Sequence, residues 1–132
     1  MHWTLSQKEL YMQVEFIAFI CYFTRMEDIK KSLLEKGERI NRIKEELCAI
    51  GEMRPGTLSK QFQKSGEKSR GYYQLSYTLN MKSKTEYVQE EFVKDVGLQV
   101  ENYKRFKKLI KEWVELAIEN SRLKMNLVKR FK

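Results

Sequence analysis

The residues able to perform acid–base or metal chemistry are few in this sequence and poorly spaced for it. Adjacent carboxylates occur at Glu45–Glu46 and Glu90–Glu91, but both pairs lie in helical segments that also carry lysine and arginine. Such carboxylates are typical of solvated helix faces rather than of a general acid/base pair. The single histidine is His2, and no nucleophile, phosphate-loop or zinc-protease motif is present. The sequence therefore predicts no catalytic residues and a protein that is not an enzyme.

The two cysteines, Cys21 and Cys48, both fall in apolar helical patterns and form no C-x-x-C pair. Apolar surroundings predict small buried side chains. With one histidine and no paired cysteines, the chain lacks the ligands of a zinc site. We therefore expect neither a metal nor another cofactor, and unpaired cysteines are typical of a reducing cytoplasm.

Binding chemistry is better represented, in the stretch GYYQLSYTLNMKSKTEYV from Gly71 to Val88. Its side chains alternate with a period of two, which predicts a strand with two different faces. The face expected to join the core carries Tyr73, Leu75, Tyr77 and Leu79. The other face carries the hydrogen-bonding side chains Tyr72, Gln74, Ser76 and Thr78, while the face of Tyr87 depends on the register of the next strand.

Positive charge is concentrated in two segments. The net charge is +8, from 26 lysines and arginines against 18 acidic residues. Between residues 54 and 84, Glu67 is the single acid against seven bases: Arg54, Lys60, Lys64, Lys68, Arg70, Lys82 and Lys84. Residues 121–132 carry five bases and no acid. A localised excess is typical of a surface that binds an anionic partner, with nucleic acid ahead of membrane lipid.

The polar strand face and the charge together predict contact with nucleic acid. An antiparallel ribbon fits the major groove of B-DNA, about 12 Å wide, and presents alternate side chains to base edges. The bases around the polar strand face are expected to hold phosphates. Two alternatives stay open: a sheet whose polar face only meets water, and single-stranded binding by aromatic stacking. The basic tail is either a frayed helix end or a further anion-binding segment.

The most regular helical pattern lies in residues 26–50. Apolar residues recur there at steps of three and four, interrupted at Lys36: Met26, Ile29, Leu33, Ile40, Ile43, Leu47 and Ile50. This heptad seam predicts a helix that packs along another helix. Gly51 is expected as its C-cap, before a turn at Arg54–Pro55–Gly56.

A change to period two predicts a three-stranded antiparallel meander, with strands at 57–63, 72–79 and 82–88 and a loop at 65–68. Asn80–Met81 is a poorer tight turn than Asn-Gly, which favours a looser tip. Residues 89–131 then carry a helical stripe: Phe92, Val96, Val100, Tyr103, Phe106, Ile110, Trp113 and Ala117. The fold class is therefore α+β and mainly helical, with a long helical hairpin or coiled coil flanking a small three-stranded antiparallel sheet.

Residues 1–25 are predicted to form an apolar N-terminal helix, a lineage-specific extension ahead of a single domain at 26–132. Its centre, Phe16 to Phe23, has the sequence FIAFICYF. This run is shorter than the ~20 apolar residues of a bilayer span, and no basic leader or cleavage site of a signal peptide accompanies it. A buried helix or an oligomer contact is expected, with a membrane-surface helix as the alternative.

Four blocks between residues 54 and 125 form a recognisable combination: Gly56-Thr57-Leu58, Gly71 to Tyr77, Lys84 to Val88, and Glu101 to Phe106. In them the sequence resembles a family of small, functionally uncharacterised prokaryotic domains. Many members carry a cysteine-rich insertion between the first two strands, but residues 63–70 here contain no cysteine. The strand pattern is also similar to the N-terminal arm-binding domains of tyrosine recombinases, in which a three-stranded sheet backed by a helix enters the major groove. That similarity implies a mobile-element or DNA-transaction setting.

The sequence thus predicts a cytoplasmic, non-enzymatic DNA-binding protein. Its predicted nucleic-acid contacts are Arg54, Lys60, Lys64, Lys68, Arg70, Tyr72, Gln74, Ser76, Thr78, Lys82 and Lys84. The expected partners are duplex DNA and a second copy paired through the helices, with no small-molecule substrate and no membrane. The alternative is a coiled-coil interaction module that binds or inhibits a partner of a nucleic-acid machine.

Overall fold

A computed structural model describes residues 5–63 and 70–129 of the chain, without the side chains of Leu5, Gln63 and Arg70. Its elements in chain order are α1 (Leu5–Ala49), β1 (Thr57–Gln63), β2 (Arg70–Leu79), β3 (Lys82–Val88), a 3-10 turn (Glu90–Phe92) and α2 (Val93–Lys129). The predicted class is confirmed, since two long helices accompany one three-stranded antiparallel sheet. Contacts divide the chain into two units, Met1–Arg42 with Val114–Lys132, and Ile43–Trp113.

Helix α1 is continuous where the sequence predicts two helices meeting at residue 25. No proline or glycine lies near the expected junction, so nothing there terminates the helix. The Thr24 hydroxyl donates to the Ile20 carbonyl at 2.8 Å, a local bond compatible with a helix. The predicted C-cap at Gly51 is wrong, because the glycine with positive φ in the described chain is Gly56, at 134°.

The heptad seam of α1 is confirmed as its packed side. All seven seam residues are half-buried or buried, and Ile43 is completely enclosed. Helix α2 lies alongside in both units. In the first, Lys36 Nζ lies 2.9 Å from Glu119 Oε2; in the second, Lys44 Nζ lies 5.2 Å from the centre of the Trp113 ring.

The predicted stripe of α2 is largely confirmed. Its members from Val96 to Trp113 are half-buried or buried. Phe92 and Ala117 are exposed instead, because Phe92 belongs to the 3-10 turn and burial shifts from Ala117 to Leu116. Leu109, outside the predicted stripe, is only 5% exposed. A helical stripe is wider than one residue per turn, so it includes positions adjacent to the simple series.

The sheet has the order β1-β2-β3, with all neighbours antiparallel, as the predicted meander requires. Strands β1 and β3 have the predicted bounds, and β2 begins two residues earlier than predicted, at Arg70. The predicted loop at 65–68 lies outside the described residues. One face packs on the start of α2, where Leu75, Val88 and Val100 form the core of the Ile43–Trp113 unit.

The turn between β2 and β3 is tighter than the sequence predicts. Leu79 pairs directly with Lys82, which leaves Asn80 and Met81 as a two-residue connection. Their φ angles are 51° and 64°, as in a type I′ turn, whose twist matches that of the strands. Asparagine tolerates this left-handed conformation, whereas methionine does not favour it. The strand pairing therefore overrides the local preference of Met81.

The N-terminal part of α1 differs from the rest of the helix. Every residue from Ser6 to Arg25 is exposed, and burial begins at Met26. The expectation of buried cysteines is wrong, because Cys21 lies in this exposed part and Cys48 on the unpacked side of α1. No helix within residues 5–63 and 70–129 has the length and apolarity needed to cross a bilayer. Whether residues 1–25 form an extension separate from a domain at 26–132 stays a prediction.

Candidate nucleic-acid interface

The face of the sheet opposite the core carries neutral polar side chains. Leu75 lies in the core with its neighbours Leu58 and Glu86 on the same face, so the alternate residues face away from α2. The described side chains of this outer face are Thr57, Ser59, Gln61, Tyr72, Gln74, Ser76, Thr78, Ser83, Thr85 and Tyr87. Each ends in a hydroxyl or a carboxamide, and none of these ten is charged. The outer face can therefore both donate and accept hydrogen bonds across three strands.

Two tyrosines form an aromatic pair on the outer face. The ring centres of Tyr72 and Tyr87 lie 6.3 Å apart at an interplanar angle of 33°. Gln74 Nε2 donates to the Tyr72 hydroxyl at 3.5 Å, and Gln74 is the strand partner of Tyr87. Tyr87 is 68% exposed, so much of its ring is open to solvent. The register thus settles the face of Tyr87, which the sequence leaves undecided.

The predicted phosphate-binding lysines lie on the wrong face to surround this polar surface. Lys60 pairs with Tyr73, Lys82 with Leu79, and Lys84 with Tyr77, all positions of the core-side face. Their face differs from the expected one because period two applies to every strand in register, and these lysines occupy the positions in phase with the core residues of β2. Whether they bind phosphates stays a prediction. The lysines are nevertheless exposed, since this face extends beyond the helix that covers it.

Lys60 lines a cavity together with the two tyrosines of this pair. Its Nζ lies 5.6 Å from the ring centres of Phe62 and Tyr73, within reach of cation–π attraction. Gly71, which has no side chain, leaves the space that the end of Lys60 occupies. A cavity of about 270 Å³ at this position is lined by Lys60, Gly71, Tyr72, Tyr73, Tyr87, Val88 and Glu90. Lys60 therefore reaches the edge of the outer face from the opposite side.

Arg54 is engaged in a network on the core-side face. Its Nη2 donates to Glu86 Oε2, and its guanidinium carbon lies 5.4 Å from the Tyr77 ring centre. The Tyr77 hydroxyl donates to Glu86 Oε1 at 2.8 Å. The hydrogen bond from Arg54, followed by that from Tyr77, holds the pKa of Glu86 below its ordinary value. The Glu86 hydrogen bonds are also the main reason that the pKa values of Arg54 and Tyr77 are raised.

This network assigns Arg54 a structural position rather than an open phosphate-binding one. Its backbone N–H also donates to the Gln99 carbonyl of α2 at 3.0 Å. Nearby, Asn102 Nδ2 donates to the Glu52 carbonyl at 2.9 Å. These two bonds fasten the connection between α1 and β1 to α2, while the hydrogen bond to Glu86 engages the Arg54 side chain.

The remaining predicted residues lie partly outside the described chain. Lys64 and Lys68 are not described, and Arg70 is described by its backbone alone, which pairs with Gln63. In the tail, Arg122, Lys124 and Lys129 are exposed on α2. Among the described residues, no three histidine, cysteine or acidic side chains are grouped so that they could hold a metal ion.

Six residues of the outer face are missed by the sequence-based choice of site: Thr57, Ser59, Gln61, Ser83, Thr85 and Tyr87. They belong to β1 and β3, whereas the predicted contacts on this face come from β2. Alternation along β1 and β3 is visible in the sequence, and a two-residue turn would have fixed the register of Tyr87 against Gln74.

Comparisons of this chain with protein-family models, with curated proteins and with solved structures yield no significant match. The resemblances seen in the sequence therefore stay expectations. The function is therefore inferred from the side chains and charges on the two faces of the sheet.

Proposed function

We propose that this protein is a non-enzymatic nucleic-acid-binding protein that contacts bases with the outer face of its sheet. The observation that carries the proposal is an uncharged, hydrogen-bonding surface of ten side chains that includes the Tyr72–Tyr87 pair. Bases present hydrogen-bond donors, acceptors and flat apolar faces, which match such a surface. Phosphates need cations, and those lie at the edge or on the other face of the sheet.

Unpaired bases fit this arrangement better than a duplex does. Exposed aromatic side chains on an antiparallel sheet are a common platform on which single-stranded bases stack. Tyr87 offers an open ring, and Gln74 beside it offers both a donor and an acceptor. A ribbon entering the major groove would need cations beside the inserted face, whereas Lys82 and Lys84 are on the other side.

Duplex DNA stays the second candidate because the outer face presents Gln74, Ser76 and Thr78 in a row along the central strand. Such side chains can hydrogen-bond base edges in the groove. A mobile-element or DNA-transaction setting belongs to this second candidate. The cytoplasm is the proposed compartment for both, since Cys21 and Cys48 are free thiols.

Fluorescence anisotropy with labelled single-stranded DNA, single-stranded RNA and duplex DNA tests the proposal at about 50 mM salt, where electrostatic contacts are strong. We expect single strands to bind more tightly than the duplex. Tyr87→Ala should weaken binding about 5- to 150-fold, as expected for loss of one stacked base. Tyr87→Phe keeps the ring and should bind within about twofold of wild type.

The salt dependence gives a second measurement. If Lys60, Lys82 and Lys84 each contact one phosphate, the logarithm of affinity should fall with a slope of about −2 against log salt for single strands. Replacing Lys82 and Lys84 by glutamine should reduce that slope to about −0.7. Absence of binding to all three probes would refute the proposal. Binding unaffected by Tyr87→Ala but lost on replacement of Arg122, Lys124 and Lys129 would move the site to the tail.

A further inference from the structure

The N-terminal part of α1 is an apolar helix that no other described part of the chain covers. We call Leu10 to Phe23 the apolar segment. Ten large hydrophobic side chains within it are exposed, among them Met12 at 67%, Phe16 at 64% and Phe19 at 63%. At roughly 100 Å² each, they present on the order of 1,000 Å² of apolar surface. That is about twice the largest apolar patch on a typical monomer, so the segment requires a partner.

Charge argues against a lipid surface as that partner. The charged residues between Ser6 and Arg25 are Lys8, Glu9, Glu15 and Arg25, and their charges sum to zero. A helix that lies on an anionic membrane presents a basic polar face. Here the eight residues from Phe16 to Phe23 are apolar or aromatic on every side of the helix. A helix that is apolar all round is typically buried against other helices.

The spacing of the segment also fits a helical partner. Met12, Phe16, Phe19, Phe23 and Met26 follow one another at steps of four and three. Met26 is the first half-buried residue of α1 and belongs to both this series and the seam, although two consecutive steps of three, from Phe23 to Ile29, shift the phase between them. The Phe19 and Phe23 rings already stack on each other, with centres 6.4 Å apart. An apolar series at heptad spacing that lies before the point where burial begins is typical of a helix that packs along another helix.

We propose that the apolar segment pairs with the same segment of a second copy of the chain. The stripe of Met12, Phe16, Phe19 and Phe23 would form the contact in each copy. Because the charges from Ser6 to Arg25 sum to zero in each copy, this pairing brings no net electrostatic repulsion.

The area available is sufficient for this association. One helix pair would cover about half of each segment, roughly 1,000 Å² in total, which is near the lower limit of a specific interface. On the opposite side, Leu10, Val14, Ile17 and Cys21 repeat the four-three-four spacing and remain open to a second pair. We therefore expect particles with an even number of copies. This inference does not depend on the proposed nucleic-acid binding.

Light scattering after size-exclusion chromatography is the first test. We expect wild-type protein to have an even multiple of the 15.9 kDa chain mass. Phe16→Glu combined with Phe23→Glu should give the monomer without unfolding the packed part of α1 that begins at Met26, because both side chains are exposed within the chain. Leu34→Glu is the matched control, since Leu34 is 64% exposed like Phe16 but lies outside the segment. A monomeric wild-type protein, or equal dissociation by the control, would overturn the proposal.

Flotation with phosphatidylcholine–phosphatidylserine vesicles supplies the second test. Capture of wild-type monomers by the vesicles, lost in the double glutamate variant, would assign the segment to a membrane instead.

Discussion

Replacement of Met81 by glycine should stabilise the protein. Met81 adopts φ 64° at the tip between β2 and β3, and its side chain is 99% exposed. The substitution therefore removes no packing. It removes a Cβ that the left-handed conformation disfavours, and the type I′ turn prefers glycine at this second position.

The expected gain follows from two opposing terms. A left-handed conformation costs an L-residue roughly 1–2 kcal/mol. Glycine has a more flexible unfolded state, which offsets roughly 0.5–1 kcal/mol of that relief. Met81→Gly should therefore raise the free energy of unfolding by about 0.5–1 kcal/mol, equivalent to about 2–4 °C in Tm for a chain of this size.

Urea and thermal unfolding followed by circular dichroism measure this gain. Met81→Ala is the matched control, because alanine keeps the Cβ while removing the rest of the exposed side chain. We expect the alanine variant to unfold within a few tenths of a kcal/mol of wild type. A glycine variant no more stable than the alanine variant would show that Met81 does not strain the turn.

The remaining predictions concern single positions. Gly37→Ala should raise the unfolding free energy by about 1 kcal/mol in urea titrations, because Gly37 is inside α1 with nothing within 4 Å of its missing Cβ. Gly56→Ala should lower it by about 2–4 kcal/mol in the same assay, because φ is 134° and a Cβ would come within 2.9 Å of β2. Asn120→Leu should raise Tm, since the buried Asn120 Oδ1 has no hydrogen-bond partner in the described chain. Glu86 has a lowered pKa in the folded state, so its stabilising effect should be full above its ordinary pKa of 4.5 and disappear as pH falls through the folded value. Glu86→Gln should remove that part of the acid dependence of unfolding.

Helix packing is the part of the fold that the sequence predicts best. Seven seam residues identify the packed side of α1, because residues at heptad spacing lie along one side of a helix. The sequence predicts the bounds of α1 less well. Residues 4–25 and 26–50 differ in composition, which suggests two helices, but no glycine or proline separates them. The helix continues through Met26, but its side chains are buried only from that residue onward. Apolarity alone predicts burial for Cys21 and the surrounding phenylalanines, which are exposed. What covers a helix depends on where its neighbour ends, which is tertiary information.

The candidate site is half predictable for a related reason. Alternation along β2 correctly separates Tyr72 and Gln74 from Leu75. The placement of Lys84 requires the register of β3 on β2, which follows from a turn that Met81 makes appear improbable, and the placement of Lys60 requires the separate register of β1 on β2. Arg54 has a sequence environment typical of a phosphate contact, yet its partner Glu86 is 32 residues away. Such a pairing has no local signal in the sequence.

The onset of burial at Met26 has a consequence for the hydrogen exchange of α1. All amides of α1 lie in one helix, but different interactions protect them from hydrogen exchange. Around Ile43, exchange requires opening of the packed core, whereas from Ser6 to Arg25 the helix of a single copy depends on intrinsic propensity, which is marginal in water. We therefore expect a gradient of exchange rates along one continuous helix, with fast amides at its N-terminal end in dilute protein. Self-association would slow exchange in that part selectively, so the gradient would flatten as concentration rises.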